Sequence, residues 1–301
     1  MDDNRLLLKF ACDYYCAGHL DIIGQEATAF VSGGISSDTQ VESLHRMRTS
    51  SRRIIEITDA YNRFIQQKSG KNLSKSSRLL LKYSGALRNL DVLLIIVHNI
   101  QQTENRNEDE IAHLEDFRLW LLQQRKIKAS ELCECLDKDV LHMINRSAVR
   151  LELKFAIGYD HKSTVCHSLR EAAAAIYYRS AADILAAGSS RDQLHALRIK
   201  CKGFRYLLEL FELSGMDTYQ AQSEFKVVQD IFGSWHDDHV LLQNLKKYRK
   251  EIDHKKDQND ILHHIFVERE KLSRSKAEEA ANILTQQWFD SAFASVFLGQ
   301  I

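Results

Sequence analysis

The sequence predicts an all-α protein built from two helical bundles with approximate two-fold symmetry. The chain has no proline and only 12 glycines in 301 residues, and both residue types disfavour helix interiors. Apolar residues recur at helical spacing along nearly the whole chain. A basic motif occurs once in each half, and a glycine-containing element follows each copy after 40 and 38 residues, counted from His45 to Gly85 and from His195 to Gly233. Two motifs that recur in the same order indicate an internal repeat.

The first half is predicted to contain helices at 3–31, 38–67 and 73–102, then a polar stretch and a helical region that continues to about residue 154. A linker rich in serine and glycine, at 32–37, separates the first two helices. The pattern Ser37-x-x-Gln40 is a capping box, which favours a helix start at this point. The segment Ser32-Gly33-Gly34 lacks the Gly-Lys-Ser/Thr signature of a phosphate loop and is interpreted as part of the linker.

The second half is predicted to contain helices at 162–187, 191–213, 217–254 and 258–297, the last with a break near Ser273. A second capping box, Ser190-x-x-Gln193, precedes the second of these helices, and Gly188 is a candidate C-cap for the helix before it. The predicted halves are 1–155 and 156–301, and together they form one domain.

Composition restricts how such a protein can bind a charged partner. The hydrophobic content of 44% supports a substantial core, and 41 basic residues balance 41 acidic residues. A polyanion could therefore be bound only through segregated charge. The chain shows no signal-peptide pattern and no apolar run long enough to span a bilayer. The six cysteines match no zinc or disulfide pattern, so a cytoplasmic protein with reduced thiols and without a membrane partner is expected.

The basic motifs are the strongest candidates for a binding site. Residues three, four and seven apart share one helix face, so the two copies form two cationic rows. The first row comprises His45, Arg48 and Arg52, with Arg53 on its flank, and the second comprises His195, Arg198, Lys202 and Arg205. No acidic residue lies within 43–55 or 193–208, so both rows are expected to be unneutralised and to suit a ligand with regularly spaced negative charge.

A third basic row precedes Gly85 and consists of Lys75, Arg78 and Lys82. Lys226 lies seven residues before Gly233, as Arg78 lies seven before Gly85. The second copy has Ser223 and Asp230 in place of the two lysines, so the halves are expected to bind unequally. Arg88 is a further candidate, with the alternative that Asp91 holds it in a structural ion pair.

At these residues the sequence resembles the CHAD family, the conserved histidine α-helical domains. That family pattern is His-x-x-Arg followed by basic residues seven, eight and ten positions after the histidine; Ile55 departs from it in the first copy and Gly203 in the second. A family element of the type Gly-x-x-Arg-Asp-Leu-Asp-Val is matched by Gly85, Arg88, Leu90, Asp91 and Val92, with Asn89 in place of the first Asp. The later element is matched by Gln229, Asp230, Gly233 and Asp237, with His236 where Asn is usual.

The resemblance implies one CHAD domain made of two pseudo-symmetric antiparallel four-helix bundles around a basic central groove or pore. It also implies non-catalytic binding of inorganic polyphosphate and association with polyphosphate granules. The thirteen residues expected to bind polyphosphate are His45, Arg48, Arg52, Arg53, Lys75, Arg78, Lys82, Arg88, His195, Arg198, Lys202, Arg205 and Lys226. No cofactor, metal or catalytic residue is expected.

Several alternatives stay open at this point. A cationic row is often only a solvated helix face, and His45 and His195 could be structural. Tyr83 and Tyr206 could line the groove but fit packing roles better. His236 and His239, three residues apart and beside two aspartates, could suggest a metal site, but the sequence shows no third ligand. His263-His264 is a weaker metal candidate.

Two other functions compete with polyphosphate binding. RNA or another nucleic acid could occupy the same groove, although stacking aromatics are sparse in the basic rows, which hold only Phe204 and Tyr206. A phosphohydrolase with a histidine nucleophile or acid would need an activating base or metal, which the sequence does not assemble.

Overall fold

The computed structural model describes residues 3–32, 38–60, 67–103, 106–136, 142, 190–213, 218–251 and 258–287. The regular elements of this part of the chain are α-helices, as the sequence predicts. They are α1 (Asp3–Ser32), α2 (Asp38–Ala60), α3 (Gln67–Gln101), α4 (Glu108–Cys135), α5 (Arg191–Leu213), α6 (Tyr219–Glu251) and α7 (Gln258–Gln287). In these segments no helix is both long enough and apolar enough to cross a membrane.

Local signals explain where several helices begin. The Asn107 side chain accepts a 2.7 Å hydrogen bond from the Glu110 backbone N–H and caps α4, whose first turn is acidic as the helix dipole favours. The predicted capping box at α5 is confirmed, because the Ser190 hydroxyl and the Gln193 side chain each accept a bond from the other's backbone N–H. Ser37 lies outside the described residues. Its proposed partner Gln40 is buried and donates to the Phe30 carbonyl at 2.9 Å, tying α2 to the end of α1.

Three predicted boundaries are wrong and others fall outside the described residues. Gln67 begins α3, so the preceding helix ends sooner than predicted and the next one starts six residues earlier. No break occurs near Ser273, because α7 is continuous there and the Ser273 hydroxyl donates to the Glu270 carbonyl within the same helix. The predicted helix at 162–187, the Gly188 cap and the boundary at 155/156 are not among the described residues.

Each half of the described chain has its own apolar core. The first core joins α1 to α4 through residues such as Phe30, Met47 and Leu80. The second core joins α5, α6 and α7 around Phe225, Phe232 and Trp235.

A third core unites the two halves. It is formed by the later turns of α3 and α6 and by α4 and α7, and includes Phe117, Leu241 and Phe266. Helices in corresponding positions of the two halves also contact each other, α2 with α5, α3 with α6 and α4 with α7. Along α3, the buried side chains change from the first core to the third between Leu87 and Leu90. Along α6, they change from the second core to the third between Trp235 and Val240. Arg88 and His236 lie at these two changes.

Candidate functional site

The two basic rows meet where α2 packs against α5. Arg52 of α2 lies close enough to α5 for its charge to lower the pKa values of Arg198 and Lys202. Arg88 of α3 acts in the same way on His45 and Arg48. We call this group the central cluster, and its members are His45, Arg48, Arg52, Arg88, His195, Arg198, Lys202 and His236.

Arg48 is the most deeply fixed cation of the central cluster, with 7% of its surface exposed. Its Nη1 donates to the Leu81 carbonyl at 2.8 Å and to the Ser84 hydroxyl at 2.7 Å, which joins α2 to α3. Burial lowers the pKa of Arg48 to about 9, and repulsion from Arg52 and Arg88 adds to this shift. One guanidinium nitrogen is therefore committed inside the protein, and the side chain is held in a defined orientation.

Arg198 and Lys202 of α5 are half-buried. Burial and neighbouring positive charge both disfavour their charged forms. Burial lowers the pKa of Lys202 to about 6 and that of Arg198 to about 10, and Arg52 pushes both in the same direction. The Arg198 Nε is buried without a hydrogen-bond partner in the described part of the protein. Within the described ranges, Arg52, Arg88, Arg198 and Lys202 form no ion pair within 4.0 Å. An anion placed among these groups would be attracted by all of them and would favour their charged forms.

The histidines of the central cluster are held neutral by their surroundings. Burial is the largest cause in each case, and the positive charges of Arg88 on His45 and of Arg198 on His195 lower their pKa values further. The His236 ring lies 5.1 Å from the His195 ring, centroid to centroid. Burial and Arg198 lower the pKa of His236 to about 3. A neutral histidine still offers one ring N–H to an anion.

Asp237 of α6 is an acidic residue that interacts with several cations of this group. Burial raises the pKa of its carboxyl, while Arg198, Lys202 and Arg88 act against that rise. The single carboxylate of Asp237 does not balance the five Arg and Lys side chains of the central cluster. The region therefore carries a local excess of positive charge in a protein of zero formal net charge.

The expectation that both rows are unneutralised is wrong for two arginines. Arg53 of α2 donates from Nε at 2.6 Å and from Nη2 at 3.1 Å to the Glu209 carboxylate of α5. Arg205 lies 3.8 Å from the same carboxylate, and the Tyr15 hydroxyl donates to it at 3.0 Å. The Tyr206 ring contacts both guanidinium groups at centroid distances of 5.3 and 5.4 Å. We call Tyr15, Arg53, Arg205, Tyr206 and Glu209 the Glu209 network.

The third basic row is not brought into the central cluster. Arg78 is paired with Asp59 of α2, and Ser74 accepts a hydrogen bond from the same guanidinium. Lys75, Lys82 and Lys226 are exposed on α3 and α6. Of the two tyrosines, Tyr83 is 44% exposed and Tyr206 is 3% exposed, which confirms a packing role only for Tyr206.

A buried ion pair answers the question about Arg88. The Asp91 carboxylate is paired with Arg125 of α4 at 2.7 Å, with 1% and 8% of the two side chains exposed, so Asp91 does not hold Arg88. Asp238 of α6 pairs in a similar way with Arg269 of α7. Each half thus has a carboxylate that ties two successive helices together, and Arg88 stays available.

The interpretation of His236 and His239 as a metal pair is not supported by their contacts. His239 lies 3.0 Å from the Gln243 side chain and 3.9 Å from Glu270 of α7, whereas His236 faces His195 of α5. In the part of the chain that is described, no three His, Cys, Asp or Glu side chains are grouped as metal ligands. His263 and His264 are exposed on α7.

Sequence reasoning missed His236 and Asp237 as members of this region. The signal was present in the repeat, because His236 follows Gly233 by three residues as Arg88 follows Gly85. Glu209 was also missed, although it lies four residues after Arg205, a spacing at which opposite charges meet on a helix.

Comparison with known proteins identifies the family. The CHAD domain model matches residues 26–246, a range that includes all thirteen predicted site residues. The fold is similar to the crystal structure of the CHAD domain from the plant Ricinus communis, at 17% identity and a TM-score of 0.62, with 91% of each chain covered. It is also similar to PptA from Streptomyces chartreusis, at 16% identity and a TM-score of 0.59, with 93% of this chain and 99% of that chain covered. No curated protein sequence matches. Because the family model spans most of the chain and the two structures share its fold, this protein belongs to the CHAD domain family.

Proposed function

We propose that this protein binds inorganic polyphosphate in the central cluster, without catalysing a reaction on it. The observation that carries the proposal is the convergence of Arg52, Arg88, Arg198 and Lys202, which lack ion-pair partners among the described residues. The CHAD domain is a polyphosphate-related family and is generally non-catalytic, which supports the same function.

Polyphosphate has the chemistry that these residues suit. It carries roughly one negative charge per phosphate, at regular intervals, and has no base edges to be recognised. Arginine offers a planar fork to two phosphate oxygens, and lysine offers a compact point charge. Because the cations come from α2, α3 and α5, and His236 comes from α6, one ligand could contact these four helices together. Such a path would correspond to the central groove that the family resemblance implies.

The thirteen predicted residues would contribute unequally. We assign direct phosphate contacts to His45, Arg52, Arg88, His195, Arg198 and Lys202, and add His236. Arg48 would contribute its remaining guanidinium nitrogens from a fixed position. Arg53, Arg78 and Arg205 are held by acids and would act mainly through their structural contacts. The exposed side chains of Lys75, Lys82 and Lys226 would attract the polyanion as it approaches.

Nucleic acid is the main competing ligand. Single-stranded binding relies on aromatic rings on which bases stack. Tyr206 interacts electrostatically with Arg48 and Arg198. Its ring is buried and already contacts Arg53 and Arg205. This arrangement favours a ligand recognised by charge alone.

The decisive experiment is a titration of the purified protein with tripolyphosphate and long-chain polyphosphate at two salt concentrations, with RNA as competitor. We expect length-dependent binding that weakens with salt and resists RNA at matched charge. Displacement by RNA at equal charge would favour the nucleic-acid function. No binding of long polyphosphate at low salt would overturn the proposal, and release of phosphate would overturn its non-catalytic part.

The proposed location follows from the proposed ligand. We propose that the protein is cytoplasmic and associates with polyphosphate granules. A fluorescent fusion is expected to colocalise with granules and to become diffuse when cellular polyphosphate is depleted. A distribution that does not respond to depletion would contradict this location.

A further inference from the structure

The basic face of α2 ends in two acids. His45, Arg48 and Arg52 are followed on the same face, at helical spacings of four and three residues, by Glu56 and Asp59. The charge along this face therefore changes from positive to negative within a single turn. Both acids lie just beyond the acid-free stretch that identified the motif.

Glu56 occupies the contact between α2 and α5. A Cβ atom built at Gly203 would lie only 2.9 Å from the Glu56 Oε2 and 3.0 Å from its carboxyl carbon. Gly203 therefore leaves the space into which this carboxylate projects. Gly203 directly follows Lys202 and lies where the family pattern has a basic residue. At this position the chain therefore lacks a cation and leaves space for a carboxylate.

The charges around Glu56 connect it to the end of the central cluster. Burial and the neighbouring Asp59 raise the pKa of its carboxyl to about 7, whereas Arg78, Lys200 and Arg52 act in the opposite direction. No cation in the described structure forms an ion pair with Glu56 within 4.0 Å. The Glu56 carboxylate thus lies beside the last cations of the central cluster without forming an ion pair with any of them.

The position in α5 that corresponds to Asp59 is acidic as well. Asp59 follows His45 by 14 residues, and Glu209 follows His195 by 14. Each of these acids pairs with an arginine of another helix, Asp59 with Arg78 and Glu209 with Arg53. Both rows therefore end in a carboxylate at the same place in the repeat.

We propose that Glu56 is a specificity-determining residue that ends the polyphosphate path at Arg52 and Lys202. The inference rests on the proposed function and adds a limit to it. Above pH 7, where the Glu56 carboxyl is mostly ionised, a phosphate placed beyond Arg52 would meet a negative charge in a partly desolvated contact, and the two like charges would repel strongly. A short chain would fit within the cationic part of the path, and a long chain would have to leave the α2–α5 contact at this point.

The test compares Glu56→Gln with Glu131→Gln. Glu131 is an exposed residue of α4 paired with Lys128, so its replacement makes the same change in net charge away from the path. Binding of tripolyphosphate and of long polyphosphate is measured over a range of salt concentrations at pH 8, above the raised pKa of Glu56. For Glu56→Gln we expect stronger binding of the long chain, with a salt slope steeper by about one unit because roughly one more phosphate is engaged. Tripolyphosphate binding should not change, and Glu131→Gln should alter neither ligand.

Three outcomes would overturn the inference: an unchanged salt slope, an equal gain for both ligands, or the same gain in Glu131→Gln. Thermal unfolding checks that Glu56→Gln is folded, and Glu56→Ala provides a second removal of the carboxylate. Failure of the wild-type protein to bind long polyphosphate would instead reject the proposed function itself. The two failures are therefore distinguishable.

Discussion

The central cluster and the Glu209 network are built from the same basic motif but have opposite electrostatic character. Arg52 and Arg53 are neighbours in α2, yet Arg52 faces other cations while Arg53 forms a two-point ion pair with Glu209. Arg198 and Arg205 differ in the same way on α5. The helix that packs opposite decides whether a basic residue of the motif is available to a ligand.

This difference separates two roles within one motif. Cations of the central cluster lower the stability of the unliganded protein, because they are desolvated beside like charges. Cations of the Glu209 network stabilise the contact between the halves. Substitutions in the two regions should therefore have opposite signatures, with losses of binding in one and losses of stability in the other.

The largest effect is expected from Arg52→Ala combined with Arg198→Ala. Each substitution removes a charge-assisted phosphate contact worth about 1.5–3 kcal/mol. Affinity for long polyphosphate should fall by about 100-fold or more, since 1.4 kcal/mol corresponds to tenfold. Isothermal titration calorimetry would measure this, and thermal unfolding should show no loss of stability.

Arg46→Ala is the matched control for that experiment. Arg46 lies on α2 between the motif residues but is exposed and paired with Glu26 and Glu42. Its removal should change affinity by no more than a few-fold. If Arg46→Ala weakens binding as much as Arg52→Ala does, the contrast between clustered and paired cations is wrong.

The next effect is a dependence of binding on pH. Lys202, with its pKa lowered to about 6 by burial and by Arg198 and Arg52, is mostly neutral above pH 7 in the free protein. Bound polyphosphate would restore its charge, so binding takes up about one proton and affinity falls by up to about tenfold per pH unit between pH 6.5 and 8. Calorimetry in buffers of different ionisation enthalpy would count the proton. Lys202→Arg should flatten the dependence, because arginine stays charged.

Stability of the unliganded protein should change with pH in the opposite sense. Between the lowered pKa of about 6 and the usual lysine pKa of about 10.4, the unfolded chain holds a proton that folded Lys202 lacks. Because the unfolded state binds one more proton than the folded state in this window, raising the pH through it disfavours the unfolded state and increases the free energy of unfolding. A wild-type protein whose stability relative to Lys202→Met does not rise with pH would refute the lowered pKa.

The smallest effect on binding is expected for Arg53→Ala. The Arg53–Glu209 pair is partly exposed, with 22% and 21% of the two side chains accessible, so its loss should lower stability by about 1 kcal/mol. Affinity for polyphosphate should stay within about twofold of wild type. Denaturant unfolding and the same titration would measure both quantities. A large loss of binding with unchanged stability would place Arg53 in the binding path.

Much of the fold could be predicted from helical periodicity alone. The start of α5 followed from its capping box, because that signal is local and needs no partner helix. The start of α3 was placed too late, since the polar residues before Leu73 continue the helix without showing an apolar face. The third core could not be predicted, because it depends on which turns of α3 and α6 face each other across the halves.

The candidate site was predictable in its cations but not in its acids. The repeat identified both basic rows, which the structure brings together through the contact between α2 and α5. Asp59 and Glu56 acquire their roles only from packing, since each interacts with a residue of another helix, and the same holds for the pair of Glu209 with Arg53. Whether a basic side chain is available to a ligand depends on the tertiary structure, and a search for acid-free stretches of the sequence cannot determine it.

The Arg53–Glu209 pair joins residues 156 positions apart in the chain. Contacts of such long sequence separation form slowly, because the intervening chain loses much conformational entropy when its ends are brought together. Docking of the halves must also overcome repulsion between the two basic rows. Glu209 places negative charge beside one end of those rows and offsets part of that barrier. The Glu209 carboxylate interacts with two arginines and makes them unavailable to the ligand, but it thereby helps the two halves to dock around the site. Polyphosphate would neutralise the remaining cations after the halves have docked.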